Sequence, residues 1–182
     1  MYSSLKNSNN LLLFNPMYNI HRLKEIIGKA NMIQFCLIVL VAVNLTKAIV
    51  HLSFKMLRLD DIQFNEPLIN LKQPIITVNL LIDTLIFAPI VETALFQTLI
   101  FKLTKWLHFN NITIVLISAI CFGLIHDYSL LYIISTFFIG SILMYTYILR
   151  SEYNNKPYWS MTLAHSTVNA FALLMLLVFE IL

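Results

Sequence analysis

Long apolar runs broken by short polar stretches organise this chain. Residues 1–31 are polar and Asn-rich, then mildly amphipathic: Ile20, Leu23, Ile26 and Ile27 recur at helical spacing with Arg22, Lys24 and Lys29 between them. That pattern predicts a short helix lying on a membrane surface, or else a solvated lead-in. Met32–Val50 is nearly uninterrupted and predicts a first span, with Asn44 and Lys47 near its end. A mixed connector follows to Gln73 (Lys55, Arg58, Asp60, Asp61, Glu66), and Pro74 stands where the next helix would begin. The run Ile75–Leu107 exceeds one bilayer thickness and predicts a long, tilted or kinked helix, with Pro89 as the kink. Lys102, Lys105, His108, Asn110 and Asn111 close it. Ile112–His126, Leu130–Leu149 and Ser160–Leu182 predict three more spans. Gly140 sits mid-span, where a small residue lets helices approach. Between the last two lie a polar loop from Arg150 to Tyr158 and Trp159 as an interfacial aromatic. The expected fold is all-α, a polytopic membrane bundle of about five transmembrane helices. It divides into an N-terminal segment (1–31), a first span with its connector (32–73) and a membrane core (74–182).

Composition strengthens this reading. Of 182 residues, 59% are hydrophobic and 12% charged, with mean hydropathy +0.78, whereas soluble domains run at about 45–50% and about 25%. The lipid bilayer is therefore the first partner, and no length remains for a soluble domain. The net charge of +3 is small, and no basic-aromatic patch points to nucleic acid. Cys36 and Cys121 fall in apolar spans and read as packing residues. The patch Leu11–Phe14 is too short for the apolar region of a secretory signal. With the N-terminus inside, inner segments carry eight Lys and Arg, against four in the outer connector with its three acids. This bias favours a cytoplasmic N-terminus.

Candidate chemistry centres on Glu92, in Ala-Pro-Ile-Val-Glu92-Thr-Ala-Leu-Phe-Gln97. A carboxylate within a membrane span costs several kcal/mol unless it is partnered. It is either a packing acid, protonated or hydrogen-bonded to a neighbour, or a catalytic acid/base. Asp83 precedes it by nine residues, on the opposite face of a straight helix, and reads as an interfacial or helix-pairing group. Two further polar sites lie at membrane depth, Phe122-Gly-Leu-Ile-His126 and His165-Ser-Thr-Val-Asn169. The end residues of each are four apart and share a helix face. Glu92, His126, His165 and Asn169 are expected to converge on one interior cavity, where they can satisfy one another.

These three stretches resemble the ordered motifs of the CPBP intramembrane peptidases, the CAAX-protease and bacteriocin-processing family that includes the type II CAAX prenyl endopeptidases. The likeness covers roughly residues 74–175. It implies Glu92 as the base that activates water, and His126 as the group that holds that water and later protonates the leaving amine. His165 and Asn169 would donate to the oxyanion. Phe122, Thr93 and Gln97 are supporting positions. Zinc on Glu92, His126 and His165 is one implied possibility, and a metal-free glutamate mechanism is the preferred one. The substrate would be a membrane-associated protein or peptide, and the location the plasma (inner) membrane of a bacterium. Whether that substrate is prenylated does not follow from these residues.

The chain departs from the family pattern at two positions, with Thr93 for a second glutamate and Gln97 for an arginine. Losing both together removes a charge pair without stranding one charge, and the two neutral residues are expected to hydrogen-bond with each other or a neighbouring helix. The alternative to a peptidase is a catalytically impaired relative serving as an immunity or partner-binding factor. Counted from the predicted span limits, His126 and His165 lie at unequal depths, about 21 Å and about 8 Å from the same side, and tilt or altered limits must reconcile them.

Overall fold

The computed structural model describes residues 16–59, 62 and 77–181; Leu11–Phe14, Pro74 and the acids Asp60, Asp61 and Glu66 lie outside these. The described residues form six helices and no strand: α1 (Pro16–Lys29), α2 (Met32–Met56), α3 (Val78–Trp106), α4 (Asn111–Leu124), α5 (Leu130–Glu152) and α6 (Pro157–Ile181). Helices α2, α3, α5 and α6 are long and apolar enough to cross a bilayer. The protein is an all-α integral membrane bundle. Helix α4 is different: its 14 residues reach about 21 Å, short of the hydrocarbon thickness of about 30 Å.

Local chemistry sets the helix starts. Asn31 caps α2 with a reciprocal pair of bonds to Gln34, and Asn110 and Ser129 cap α4 and α5 through their side-chain oxygens. Helix α5 packs against α1, α2, α4 and α6, while α3 lies along α6 and α4. The core runs from Phe35, Val39 and Val43 through Ile114 and Phe122 to Leu143, Met144, Met161 and Ala164. Gly140 makes the expected close approach. A Cβ there would lie 3.0 Å from Cβ of Phe122 and 3.2 Å from Cα of Ala119, so the glycine seats the Phe122 ring. The N-terminal helix is present, with Ile27 in the core and Ile20, Leu23 and Ile26 exposed.

Arg150 departs most from the sequence reading. It was expected in a polar loop, but it belongs to the last turn of α5 and is buried. Its Nη1 donates to the carbonyls of Ala30 (2.6 Å) and Gly28 (3.3 Å), its Nη2 to Oγ of Ser160 (2.8 Å), and its guanidinium stacks 4.6 Å over Phe35. These carbonyls close the C-terminal end of α1, where helical acceptors have no intrahelical donor. Beside them, Lys105, Asn111 and Glu152 link the ends of α3, α4 and α5. One end of the bundle is thereby tied together.

Candidate active site

The site is built around an irregular helix. Helix α3 contains two wide turns in which the backbone pairs i with i+5, Asp83–Phe87 and Thr93–Leu99, on either side of the α-helical Ala88–Glu92. Such insertions are frequent at functional sites. Pro89 accounts for the first. The amide of Ala88 bonds to Asp83, five residues back, so the Thr84 carbonyl would need residue 89 as its donor, and proline has no N–H. Helix α6 supplies donors instead: Nδ2 of Asn169 reaches the Thr84 carbonyl at 3.0 Å and Oγ of Ser166 the Leu85 carbonyl at 2.6 Å. Tyr158 Oη adds a 3.3 Å bond to the carbonyl of Ile90. In the second wide turn, Ser118 Oγ of α4 donates to the Phe96 carbonyl at 2.7 Å. These bonds fix the rotation of α3 against both neighbours and turn Glu92 toward α6.

There Glu92 Oε2 stands 3.6 Å from Nε2 of His165, beyond a direct hydrogen bond but within reach of a shared third group. Both side chains are largely buried. Oε2 of Glu92 and Nδ1 of His165 have no hydrogen-bond partner among the described residues. His126 lies just past the end of α4, where its Nδ1 meets the Phe122 carbonyl at 2.6 Å. A carbonyl can only accept, so Nδ1 carries the proton and Nε2 the lone pair. This bond satisfies a carbonyl that the end of α4 leaves free.

Phe122 joins the two histidines, its ring centroid 4.6 Å from His126 and 6.0 Å from His165. The unequal depths expected from sequence narrow because α6 starts at Pro157, placing His165 about 12 Å along it, and the Phe122 ring bridges the two imidazoles. A cavity of about 610 Å³ opens beside these residues, lined by Phe122, His126, His165 and Asn169 together with Tyr132 and Lys47. Three of the four candidate residues, His126, His165 and Asn169, thus line the cavity, and Glu92 stands behind them against His165. Asp83 stays exposed on the outside of α3.

One expectation needs correction. Thr93 and Gln97 are buried as predicted for supporting residues, but they make no hydrogen bond to each other or to another described residue. Their spacing argument assumed an α-helical register, and this stretch is a wide turn. Among the described residues no three His, Cys, Asp or Glu side chains come together as a metal-ligand set. Nδ1 of His126 is committed to Phe122, which leaves Nε2 as its free ring nitrogen. Sequence reasoning missed Tyr132, 5.8 Å from the His126 ring, and Ser166, whose carbonyl partner follows from the position of Pro89.

The sequence pattern of the family described as type II CAAX prenyl endopeptidase Rce1-like matches residues 74–171, more than half of the chain. The chain belongs to this family. The match takes in Glu92, His126, His165 and Asn169, and it makes the protein, in general terms, a CAAX-type intramembrane protease. No curated protein and no solved structure matches it.

Proposed function

We propose that the protein is an intramembrane endopeptidase that hydrolyses a peptide bond in a membrane-associated protein or peptide, with Glu92 activating the water. The observation that carries this reading is the unspent hydrogen-bonding capacity of Glu92 and His165, two ionisable groups facing each other at 3.6 Å beside the cavity. Unpartnered polar atoms in a membrane interior are costly, and a reacting group can supply the missing partner.

In this mechanism Glu92 removes a proton from water as the oxygen attacks the scissile carbonyl carbon. The lone pair on Nε2 of His126 accepts the second water proton as a hydrogen bond and orients the nucleophile. The carbonyl oxygen becomes an oxyanion, which lipid cannot solvate. His165 donates to it, and Asn169 does so with the amide hydrogen not given to Thr84. As the C–N bond breaks, the proton held by Glu92 passes to the leaving amine through His126, giving a new carboxylic acid, which keeps the second water proton, and a free amine. The site residues act without a metal, and activity is expected to survive chelation. Wild-type protein in liposomes should cleave a membrane-anchored peptide and incorporate one solvent oxygen into the new carboxyl group. Absence of that label, or loss of cleavage on metal removal, would contradict the mechanism.

A second reading rests on Thr93 and Gln97, which lack both charge and hydrogen-bond partners next to Glu92. On this reading the protein keeps the family bundle and binds a partner without cutting it, as an immunity factor would. Its biological effect would then persist when Glu92 is replaced by Gln.

A further inference from the structure

The cavity receives a cation from outside the family-matched stretch. Lys47 and His51 lie four residues apart on α2 and both line the cavity beside His165 and Asn169, while the match begins at residue 74. Lys47 is about 22 Å from the start of α2 and about 14 Å short of its end, too deep to be explained as a lysine at a helix terminus. Its side chain is partly buried, and among the described residues no carboxylate pairs with it. An ammonium that deep calls for an anionic or hydrogen-bonding partner, and it lies on the wall of a space large enough for a short peptide end. The α5 side chains at that wall are uncharged, hydrogen-bonding at Tyr132, Ser135 and Thr136 and apolar at Leu131, Ile139 and Leu143.

We propose that Lys47 anchors a carboxylate of the bound substrate, so that this protein selects peptides carrying a negative charge near the scissile bond. The carboxylate comes either from the peptide's own C-terminus or from an Asp or Glu side chain. This inference rests on the peptidase reading for its substrate, but binding tests it separately from cleavage.

The probes are short N-myristoylated apolar peptides in four versions, ending in carboxylate or carboxamide and carrying an internal Asp or Asn. Their binding is measured to the full-length Glu92→Gln protein in phosphatidylcholine nanodiscs, where no cleavage interferes. A carboxylate-bearing version should bind roughly 10- to 100-fold more tightly than the doubly neutral one, as a charge-assisted hydrogen bond allows. Whether carboxamide or Asn removes the preference identifies the source of the charge. The preference should vanish in Lys47→Met and survive in Lys47→Arg. Equal binding of charged and neutral peptides overturns the proposal, as does a preference that persists in Lys47→Met. In parallel nanodiscs that also contain phosphatidylglycerol, loss of binding of that lipid in Lys47→Met with no effect on peptides also overturns it, making the anion a lipid headgroup. If Lys47→Met fails to fold, the comparison of the four peptides on the Lys47-containing protein decides. A carboxylate preference in binding with no cleavage by wild type would refute the peptidase reading and leave the anchor standing.

Discussion

Two groups of buried polar residues in this bundle are handled in opposite ways. At the end of α5, Arg150 is buried, and its Nη1 and Nη2 are spent on Ala30, Gly28 and Ser160. Further into the bundle, Glu92, His165, Thr93 and Gln97 are largely or fully buried with atoms that no described residue satisfies. The same solvent surrounds both, so the hydration cost alone does not explain the difference. A structural charge is stabilised by saturating its partners. A reacting group must keep capacity for a substrate and for a transition state that is not yet present. Asn169 belongs to both classes, because it satisfies the Thr84 carbonyl and lines the cavity.

Breaking the Arg150 network should have the largest effect on stability. Arg150→Met keeps the bulk and the contact with Phe35 but leaves the Gly28 and Ala30 carbonyls only their bonds from Nδ2 of Asn155. It should destabilise the protein by about 3 kcal/mol, since hydrogen bonds to a charged group contribute about 1.5–3 kcal/mol each. Thermal unfolding in detergent or nanodiscs reads this, and the folded fraction should retain normal turnover.

Asn169 and Ser166 sharpen the comparison, since both donate to carbonyls that Pro89 leaves open. Asn169→Ala and Ser166→Ala should each cost about 1–3 kcal/mol of stability. Only Asn169→Ala should further lower kcat, by roughly 10²–10³, the loss typical of one oxyanion donor. Equal rate losses in the two variants would make Asn169 a helix-pairing residue alone.

Gly140→Ala tests how the cavity is framed. The added methyl must displace Phe122, at a cost of about 1–3 kcal/mol, and should lower turnover by moving both histidines together. The smallest effect is expected at Thr93 and Gln97. Introducing both charges as Thr93→Glu with Gln97→Arg should be tolerated better than Gln97→Arg alone, because the single change leaves a buried charge unpaired. A double variant less stable than the single one would end that idea.

Much of the fold was legible because lipid demands long apolar runs. The four long helices and the N-terminal helix all follow from the pattern, and Gly140 marks the α4–α5 contact correctly. Glu92, His126, His165 and Asn169 could be singled out because polar groups at membrane depth tend to share an interior. What stayed hidden depends on contacts distant in sequence. Arg150 read as a loop residue because its acceptors, Gly28 and Ala30, lie far earlier in the chain. The wide turns of α3 and the start of α6 at Pro157 have no hydropathy signal, yet they bring Glu92 and the histidines together. Lys47 was seen as a residue near the end of a span, and only the packing of α2 against α6 turns it toward the cavity.

The most direct test of the central claim is a paired measurement on Glu92→Gln, with peptide cleavage and thermal stability read from the same liposome preparation. Gln preserves the size of Glu and removes the basic carboxylate, so the unsatisfied site should lose its chemistry and keep its packing. The expected result is no detectable cleavage with an unfolding temperature within a few degrees of wild type. Cleavage at the wild-type rate would show that another group activates the water, and a collapse of stability would make Glu92 a structural residue like Arg150.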